Sequence, residues 1–192
     1  MTNQTYAGIV WRQGTKVLLC PPDMSCAKEA CGWINNEDNS RFLVVNTPFS
    51  LAAEKEWLQD CTKFDPNDFV VFLRTHEGTL IGNMSITIRP EHGSATTGTL
   101  IGNRKFQRGG YATEAKLLLL RYAFHERGLR KVVSKILGPN RASVKYARRC
   151  GYTFTARIPA EHYRFGKWRS ELIYTAWPET WQEAWNSFYS VS

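Results

Sequence analysis

The sequence contains no run of about 20 consecutive apolar residues, which is the length that a membrane-spanning helix requires. Residues 1–5 are polar and do not follow the cationic-then-apolar pattern of a signal peptide. No Pro/Gly/Ser-rich linker, internal repeat or low-complexity segment interrupts the 192 residues. We therefore expect a single domain over residues 1–192, a cytoplasmic location and no membrane partner.

Cysteine is scarce and shows no pairing pattern. The five cysteines are an odd number and include no Cys-x-x-Cys pair, which argues against a disulfide framework and against a thiolate zinc site. We expect reduced, mostly buried thiols and no bound metal.

Acidic residues are also few, because 17 Asp and Glu stand against 25 Lys and Arg, for a net charge of +8. Such an excess favours anionic partners, either nucleic acid or a phosphate-bearing cofactor. No RRM, KH, zinc-finger or basic-zipper signature is present, which argues against a nucleic-acid partner and favours the cofactor. Two basic clusters flank residues 107–112: Arg104, Lys105 and Arg108 on one side, and Arg141, Lys145, Arg148 and Arg149 on the other.

Apolar periodicity and turn residues predict a mixed α/β (α+β) fold around one sheet. Ser50 is predicted to cap a helix over 51–61, and Asp23 is predicted to cap a helix that ends at residue 34. A long helix is predicted to begin at residue 112 and to end at Gly128. In that helix we place Glu114 off the buried stripe. A short helix is predicted at 141–150, and strands at 15–20, 69–74, 79–88, 95–102, 131–137, 152–158 and 168–176.

Two adjacent glycines, Gly109 and Gly110, immediately precede the longest predicted helix. The first amides of a helix have no partner within it, its dipole favours an anion, and glycines let that anion approach the backbone closely. The pair predicts a pyrophosphate site. A plain turn is the alternative.

Residues 107–112 read QRGGYA, which fits the pattern Gln/Arg-x-x-Gly-x-Gly/Ala, and similar segments at 33–36, 49–58, 111–115 and 140–152 accompany it in order. On these segments the chain resembles the GNAT (Gcn5-related N-acetyltransferase) superfamily over about residues 15–177. It is most similar to the RimJ/RimL-like type, whose members acetylate protein N-termini and other amines.

The resemblance implies a single GNAT-like domain with a mostly antiparallel, splayed central sheet and helices on both faces. It also implies acetyl-CoA as the cofactor, a pantetheine arm held between two parted strands, and a protein N-terminus or a small amine as the acceptor. The implied cofactor-binding residues are Leu100, Gly102, Gln107, Arg108, Gly109, Gly110, Tyr111, Ala112, Thr113, Asn140 and Ser143. A simple cap of the following helix is the other role open to Asn140, and the two roles are compatible.

The catalytic residues are implied less directly, since the tyrosine that many relatives carry is replaced here by Ala147, and a frequent glutamate by Thr96. Ser143 falls where RimL-like enzymes have a serine that protonates the departing sulfur. An ordinary first-turn helix serine is the alternative. His162 and Glu171 are the candidates for a general base or a water-wire anchor.

The residues that we assign to the acceptor pocket are Trp33, Asn35, Tyr163 and Trp168. A net charge of +8 argues against polycationic acceptors. Three other functions stay open: a non-catalytic acyl-CoA sensor, a small-molecule or antibiotic N-acetyltransferase, and a nucleic-acid binder that would use the basic clusters on phosphate backbones.

A tryptophan-rich helix is predicted at about 178–190. Trp177, Trp181 and Trp185 recur every four residues around the Pro178 start, which gives the helix one apolar face. That face either docks on the domain or forms a homodimer contact.

Overall fold

The computed structural model describes residues 6–43 and 48–190, and its fold is α/β. The strands are Arg12–Gln13 (β1), Leu18–Cys20 (β2), Asp68–Arg74 (β3), Leu80–Arg89 (β4), Ser94–Leu100 (β5), Lys131–Leu137 (β6), Thr153–Arg164 (β7) and Lys167–Ala176 (β8). The α-helices are Ala27–Asn35 (α1), Glu37–Ser40 (α2), Leu51–Cys61 (α3), Tyr111–Arg121 (α4), Arg141–Arg149 (α5) and Pro178–Ser190 (α6).

The eight strands form one sheet in the order β1-β2-β3-β4-β5-β6-β8-β7. The β1–β2, β2–β3, β6–β8 and β7–β8 pairs are antiparallel, whereas β5 and β6 run parallel. The predicted mostly antiparallel α/β sheet is therefore confirmed. Within the described ranges, no helix is both long and apolar enough to span a membrane.

The chain is divided into two compact units. Unit 1 comprises Met1–Ser85 and Thr99–Ala115, and unit 2 comprises Ile86–Gly98 and Lys116–Ser192.

Unit 1 is organised by the packing of α1 and α3 on apolar strand residues. The predicted caps are present, since the Ser50 hydroxyl accepts a hydrogen bond from Ala53 N at 3.1 Å, and the Asp23 carboxylate accepts from Ser25 N at 2.9 Å. A short 3-10 turn precedes α1. The buried cluster consists of Cys26, Ala27, Ala30, Trp33, Leu58, Phe72 and Leu80, with Trp57, Val70 and Leu100 against it.

The predicted first strand over 15–20 is wrong in detail. Only Leu18–Cys20 is strand, and it pairs with the short β1 to make a hairpin. A turn closed by Gly14 N donating to Val17 O at 2.8 Å occupies the positions before it. The sequence pattern does not reveal this turn because Val17 is apolar, as the strand residues after it are, and the structure buries it fully.

Unit 2 holds the C-terminal helix in its core. Trp181 is 2% exposed, and its indole N–H donates to Leu117 O at 3.1 Å. The docking interpretation of the tryptophan face is thereby confirmed for Trp181, and the homodimer contact stays a prediction.

The last hairpin is longer than predicted, because β7 continues to Arg164 instead of ending at residue 158. The pairing with β8 shifts register between Ile158 and His162, where Ala160 has a positive φ of 52°. This bulge, next to Pro159, breaks the alternation of side chains that sequence reading relies on. His162 consequently lies inside a strand pair and not on a surface turn.

Glu54 is an unusual member of unit 1. It lies on α3 one turn before Leu58 and is 0% exposed. Among the described residues, neither of its carboxylate oxygens has a hydrogen-bond partner. Burial raises the pKa of this carboxyl group above its usual value.

We expect Glu54→Met to raise the free energy of unfolding at pH 8 by about 1 kcal/mol, because an apolar side chain of similar size carries no desolvation penalty. The folded protein holds the Glu54 proton more tightly than the unfolded chain does. The free energy of unfolding of the wild type should therefore decrease as the pH rises above about 4.3 and through the higher pKa of the folded state. The variant, which has no carboxyl group at this position, should not show this decrease.

Urea denaturation at pH 5 and pH 8 measures both effects. Glu56→Met, at an exposed position on the same helix, is the matched control and should change stability by no more than about 0.5 kcal/mol. A Glu54→Met protein that is less stable than wild type at pH 8 would contradict the prediction.

Candidate functional site

The segment after β5 in unit 1 is built around Gly102. The Trp33 indole lies directly against this glycine, so that a Cβ there would overlap the ring. Asn39 is only 9% exposed, and its side-chain amide donates to Gly102 O at 3.1 Å. Gly102 lies outside the strand that was predicted to contain it, since β5 ends at Leu100. Glycine is required at position 102 because the Trp33 ring occupies the space that a side chain of this residue would fill.

Gln107 braces the same segment. Its side-chain amide donates to Ile101 O at 3.1 Å and to Asn39 Oδ1 at 3.3 Å. Nearby, Arg104 forms an ion pair with Asp38. Arg108 is exposed, so its guanidinium is accessible to a ligand.

The two glycines of the predicted pyrophosphate site form the entry to α4. Gly109 and Gly110 have φ values of 90° and 89°, a region that glycine adopts without strain and other residues rarely do. Helix α4 begins at Tyr111, and its first intrahelical bond runs from Glu114 N to Gly110 O at 2.9 Å. Amides of the first turn, including those of Tyr111 and Ala112, have no carbonyl partner within the helix. Two positive-φ glycines followed by a helix N-terminus fit a pyrophosphate, and we call residues 108–113 the cradle.

Two side chains of the cradle, those of Thr113 and Tyr111, are packed within unit 1. Thr113 is 7% exposed and therefore buried in unit 1. The Tyr111 ring packs edge-on against Phe106, with ring centroids 5.2 Å apart.

Glu114 is the residue that sequence reasoning placed wrongly, because its side chain is 0% exposed instead of lying off the buried stripe. Its Oε1 accepts from Thr15 N and Thr15 Oγ1, both at 2.6 Å. Its Oε2 accepts from Lys16 N at 2.8 Å and from Val17 N at 3.2 Å. Four donors and the positive end of the helix compensate the buried charge. The partners are about 100 positions away in the chain, so no local pattern could have indicated them.

The same turn brings a lysine to the cradle. Lys16 is exposed, and its Nζ donates to Gly109 O at 3.1 Å. Gly14 leaves room for the Glu114 carboxylate, which a Cβ at that position would approach to 2.5 Å.

In unit 2, Asn140 is the N-cap of α5. Its Oδ1 accepts from Ser143 N at 3.0 Å, which confirms the helix-cap interpretation. The side-chain NH2 of Asn140 still offers donors to a ligand. Ser143 is half-buried in the first turn, and Ala147 is buried one turn later.

His162 and Glu171 are brought together by the β7–β8 pairing. His162 Nε2 lies 3.1 Å from Glu171 Oε2, and the carboxylate is only 7% exposed. Lys135 on β6 approaches the other oxygen, with Nζ 3.4 Å from Oε1. Lys135 was missed because its position opposite β8 depends on the strand order. A buried carboxylate that holds an imidazole by one nitrogen can support proton transfer at the other.

The four predicted acceptor-binding residues have different surroundings. Trp33 is 8% exposed within the core of unit 1. Asn35 clamps the backbone of Phe49, accepting from its N–H at 2.9 Å and donating to its carbonyl at 2.8 Å. Tyr163 and Trp168 face each other across the β7–β8 hairpin in unit 2, with ring centroids 5.5 Å apart and exposures of 59% and 64%.

The family model that matches the chain is described as an acetyltransferase (GNAT) domain and covers residues 16–153. A curated relative is the alpha/beta-tubulin-N-acetyltransferase 9 of Mus musculus, with 26% identity over 115 residues. That match takes in 60% of this chain and 41% of the mouse protein, so the similarity spans less than half of that relative's length.

Solved acetyltransferase structures share the fold. The spermidine N-acetyltransferase from Vibrio cholerae, in complex with CoA and spermine, superposes with a TM-score of 0.79 at 16% identity and covers 88% of this chain and 99% of its own. The microcin C7 self-immunity acetyltransferase, in complex with acetyl-CoA and AMP, gives a TM-score of 0.74 at 20% identity over 92% and 99% of the two chains. A GCN5-related N-acetyltransferase from Brucella melitensis gives 0.78 at 21% identity, over 97% and 86%.

We expect Glu114→Ala to lower the free energy of unfolding by about 3 kcal/mol, because it leaves three backbone N–H groups and the Thr15 hydroxyl without their acceptor. Chemical denaturation measures the change. Glu183→Ala, at an exposed position of α6, is the control and should stay within about 0.5 kcal/mol of wild type. Equal stability of the two variants would show that the buried carboxylate does not hold the turn.

Proposed function

Because this chain belongs to the GNAT acetyltransferase family, as its match over residues 16–153 shows, we propose that it transfers the acetyl group of acetyl-CoA to an amine. The observation that carries the proposal is the entry to α4, where two positive-φ glycines immediately precede the N-terminus of a helix, a backbone arrangement that suits an anion. Bound acetyl-CoA supplies an activated thioester. The residues of the chain must hold it, polarise its carbonyl and manage the protons.

The cradle is assigned to the pyrophosphate. Amides of residues 108–113 donate to its oxygens, and the exposed Arg108 adds a positive charge. Gln107 supports this arrangement indirectly, since its side chain braces the preceding segment through Ile101 O. The fold that the chain shares with neighbours solved in complex with CoA and with acetyl-CoA is in keeping with this assignment.

The backbone of β5 is assigned to the amide-containing arm of the cofactor and to its thioester. The parallel register joins Ser94, Ala95 and Thr96 to β6, and both strands continue for four more residues, to Leu100 and Leu137. The backbone of an extended strand can bond an extended ligand by strand addition. The amide at or near Leu100 then polarises the thioester carbonyl.

Ser143 is assigned to proton donation and Asn140 to ligand binding. The capping bond to Asn140 uses the backbone N–H of Ser143 and not its hydroxyl. The hydroxyl is therefore the group that we assign to protonating the departing sulfur. The position of the usual tyrosine is the buried Ala147, so that residue supplies no acid.

His162 is assigned to the proton that the amine must lose. Its Nε2 contacts the Glu171 carboxylate at 3.1 Å, which fixes the orientation of the ring. The proton reaches Nδ1 directly or through one water molecule. Such a paired and partly buried imidazole favours an enzyme over a non-catalytic acyl-CoA sensor.

The favoured acceptor is a protein N-terminus, with a small amine as the second candidate. The mouse relative is by its name an acetyltransferase of a protein, tubulin. The exposed Tyr163 and Trp168 on the β7–β8 hairpin offer an apolar surface that suits a peptide segment. One structural neighbour holds spermine, but a net charge of +8 opposes a polycationic acceptor here.

Calorimetry with acetyl-CoA, followed by a thiol-release assay over N-terminal peptides, amino acids, polyamines and aminoglycosides, tests the proposal. We expect acetyl-CoA to bind, and free CoA to be released fastest with peptides. Fastest release with polyamines would overturn the acceptor assignment, and the absence of acetyl-CoA binding would overturn the function itself.

We expect Ser143→Ala to lower kcat about 100-fold while the Kd of acetyl-CoA changes less than about twofold, because the hydroxyl acts only during transfer. Folding should be unaffected, since the capping bond uses the backbone N–H of residue 143. Ser187→Ala, at an exposed helix position, is the matched control. An unchanged kcat would make Ser143 an ordinary first-turn serine.

A further inference from the structure

We propose that Lys16 is an additional phosphate-binding residue of the cradle, which Glu114 holds in position through the β1–β2 turn. This inference rests on the proposed function and extends it by a residue that lies more than 90 positions away from the glycine motif. Its ligand is the pyrophosphate of the cofactor.

The position of Lys16 is fixed at two points. Its backbone N–H donates to Glu114 Oε2 at 2.8 Å, and its Nζ donates to Gly109 O at 3.1 Å. An exposed lysine normally samples many rotamers, so a side chain that reaches the carbonyl of the first cradle glycine is oriented by its surroundings. A lysine ammonium has three N–H donors, and the carbonyl uses one, which leaves two for an anion at the cradle.

The tether that orients Lys16 is specific. Thr15 and Val17, its neighbours on both sides, also donate their backbone N–H groups to the Glu114 carboxylate. Gly14 lacks the Cβ that would collide with that carboxylate. The turn therefore presents its three amides inward and leaves the lysine side chain to extend toward Gly109.

The charge of Lys16 offsets that of Glu114 at the cradle. Glu114 places a carboxylate in the first turn of α4, the turn whose amides are to receive a phosphate. A buried negative charge there repels an anionic ligand, even though it is fully hydrogen-bonded. Lys16 restores the positive potential at the cradle.

The test compares Lys16→Met with Lys55→Met, which removes the same charge at an exposed position of α3. Calorimetry measures the Kd of CoA, of dephospho-CoA, which lacks the terminal phosphate, and of pantetheine, which lacks all phosphates. We expect Lys16→Met to weaken CoA and dephospho-CoA about tenfold each and to leave pantetheine unchanged. The slope of log Kd against log salt should also become shallower.

Lys16→Arg keeps the charge and should bind CoA within about twofold of wild type, which separates loss of charge from damage to the turn. Equal affinities of Lys16→Met and Lys55→Met for CoA would overturn the inference. A loss confined to CoA and absent with dephospho-CoA would overturn the assignment to the pyrophosphate. Failure of the wild-type protein to bind CoA would instead overturn the proposed function.

Discussion

The geometry of the cradle depends on one buried carboxylate. Glu114 is fully buried yet accepts four hydrogen bonds from the β1–β2 turn, so the cost of removing its charge from water is offset by partners that lie far away in sequence. The interaction fixes where α4 begins relative to the N-terminal hairpin. Because Gly109 and Gly110 immediately precede that helix, the geometry of the cradle follows from the same contact.

Glu54 shows what a carboxylate costs when such partners are missing. Both glutamates lie in unit 1 and both are 0% exposed, but in the described part of the chain Glu54 has no hydrogen-bond donor, and burial raises its pKa. The contrast separates two effects of burial. Where donors converge on it, as at Glu114, a buried carboxylate can tie two elements together. Where they do not, as at Glu54, the proton is retained more tightly and the site reduces stability at higher pH.

The parts of the fold that sequence reasoning predicted are those with local signals. Ser50 and Asn140 cap α3 and α5 through bonds that span three residues, and β6 has the predicted bounds. The glycine pair was likewise readable, because positive φ and a helix start are properties of adjacent residues. The contact of Glu114 with residues 15–17, and that of His162 with Glu171, could not be read in this way. The first joins distant segments, and the second depends on a bulge that shifts the strand register.

The same distinction explains why acceptor chemistry is harder to infer than cofactor chemistry. A cofactor that is bound by backbone amides needs a local conformation, whereas an acceptor is selected by side chains whose positions depend on strand register. Ser170 illustrates the point, since its hydroxyl accepts a hydrogen bond from Arg157 Nε at 2.8 Å, and that contact depends on how β7 pairs with β8. Contacts of this kind, which join residues of two paired strands, decide which side chains of the hairpin are available to an acceptor, and no local sequence pattern gives them.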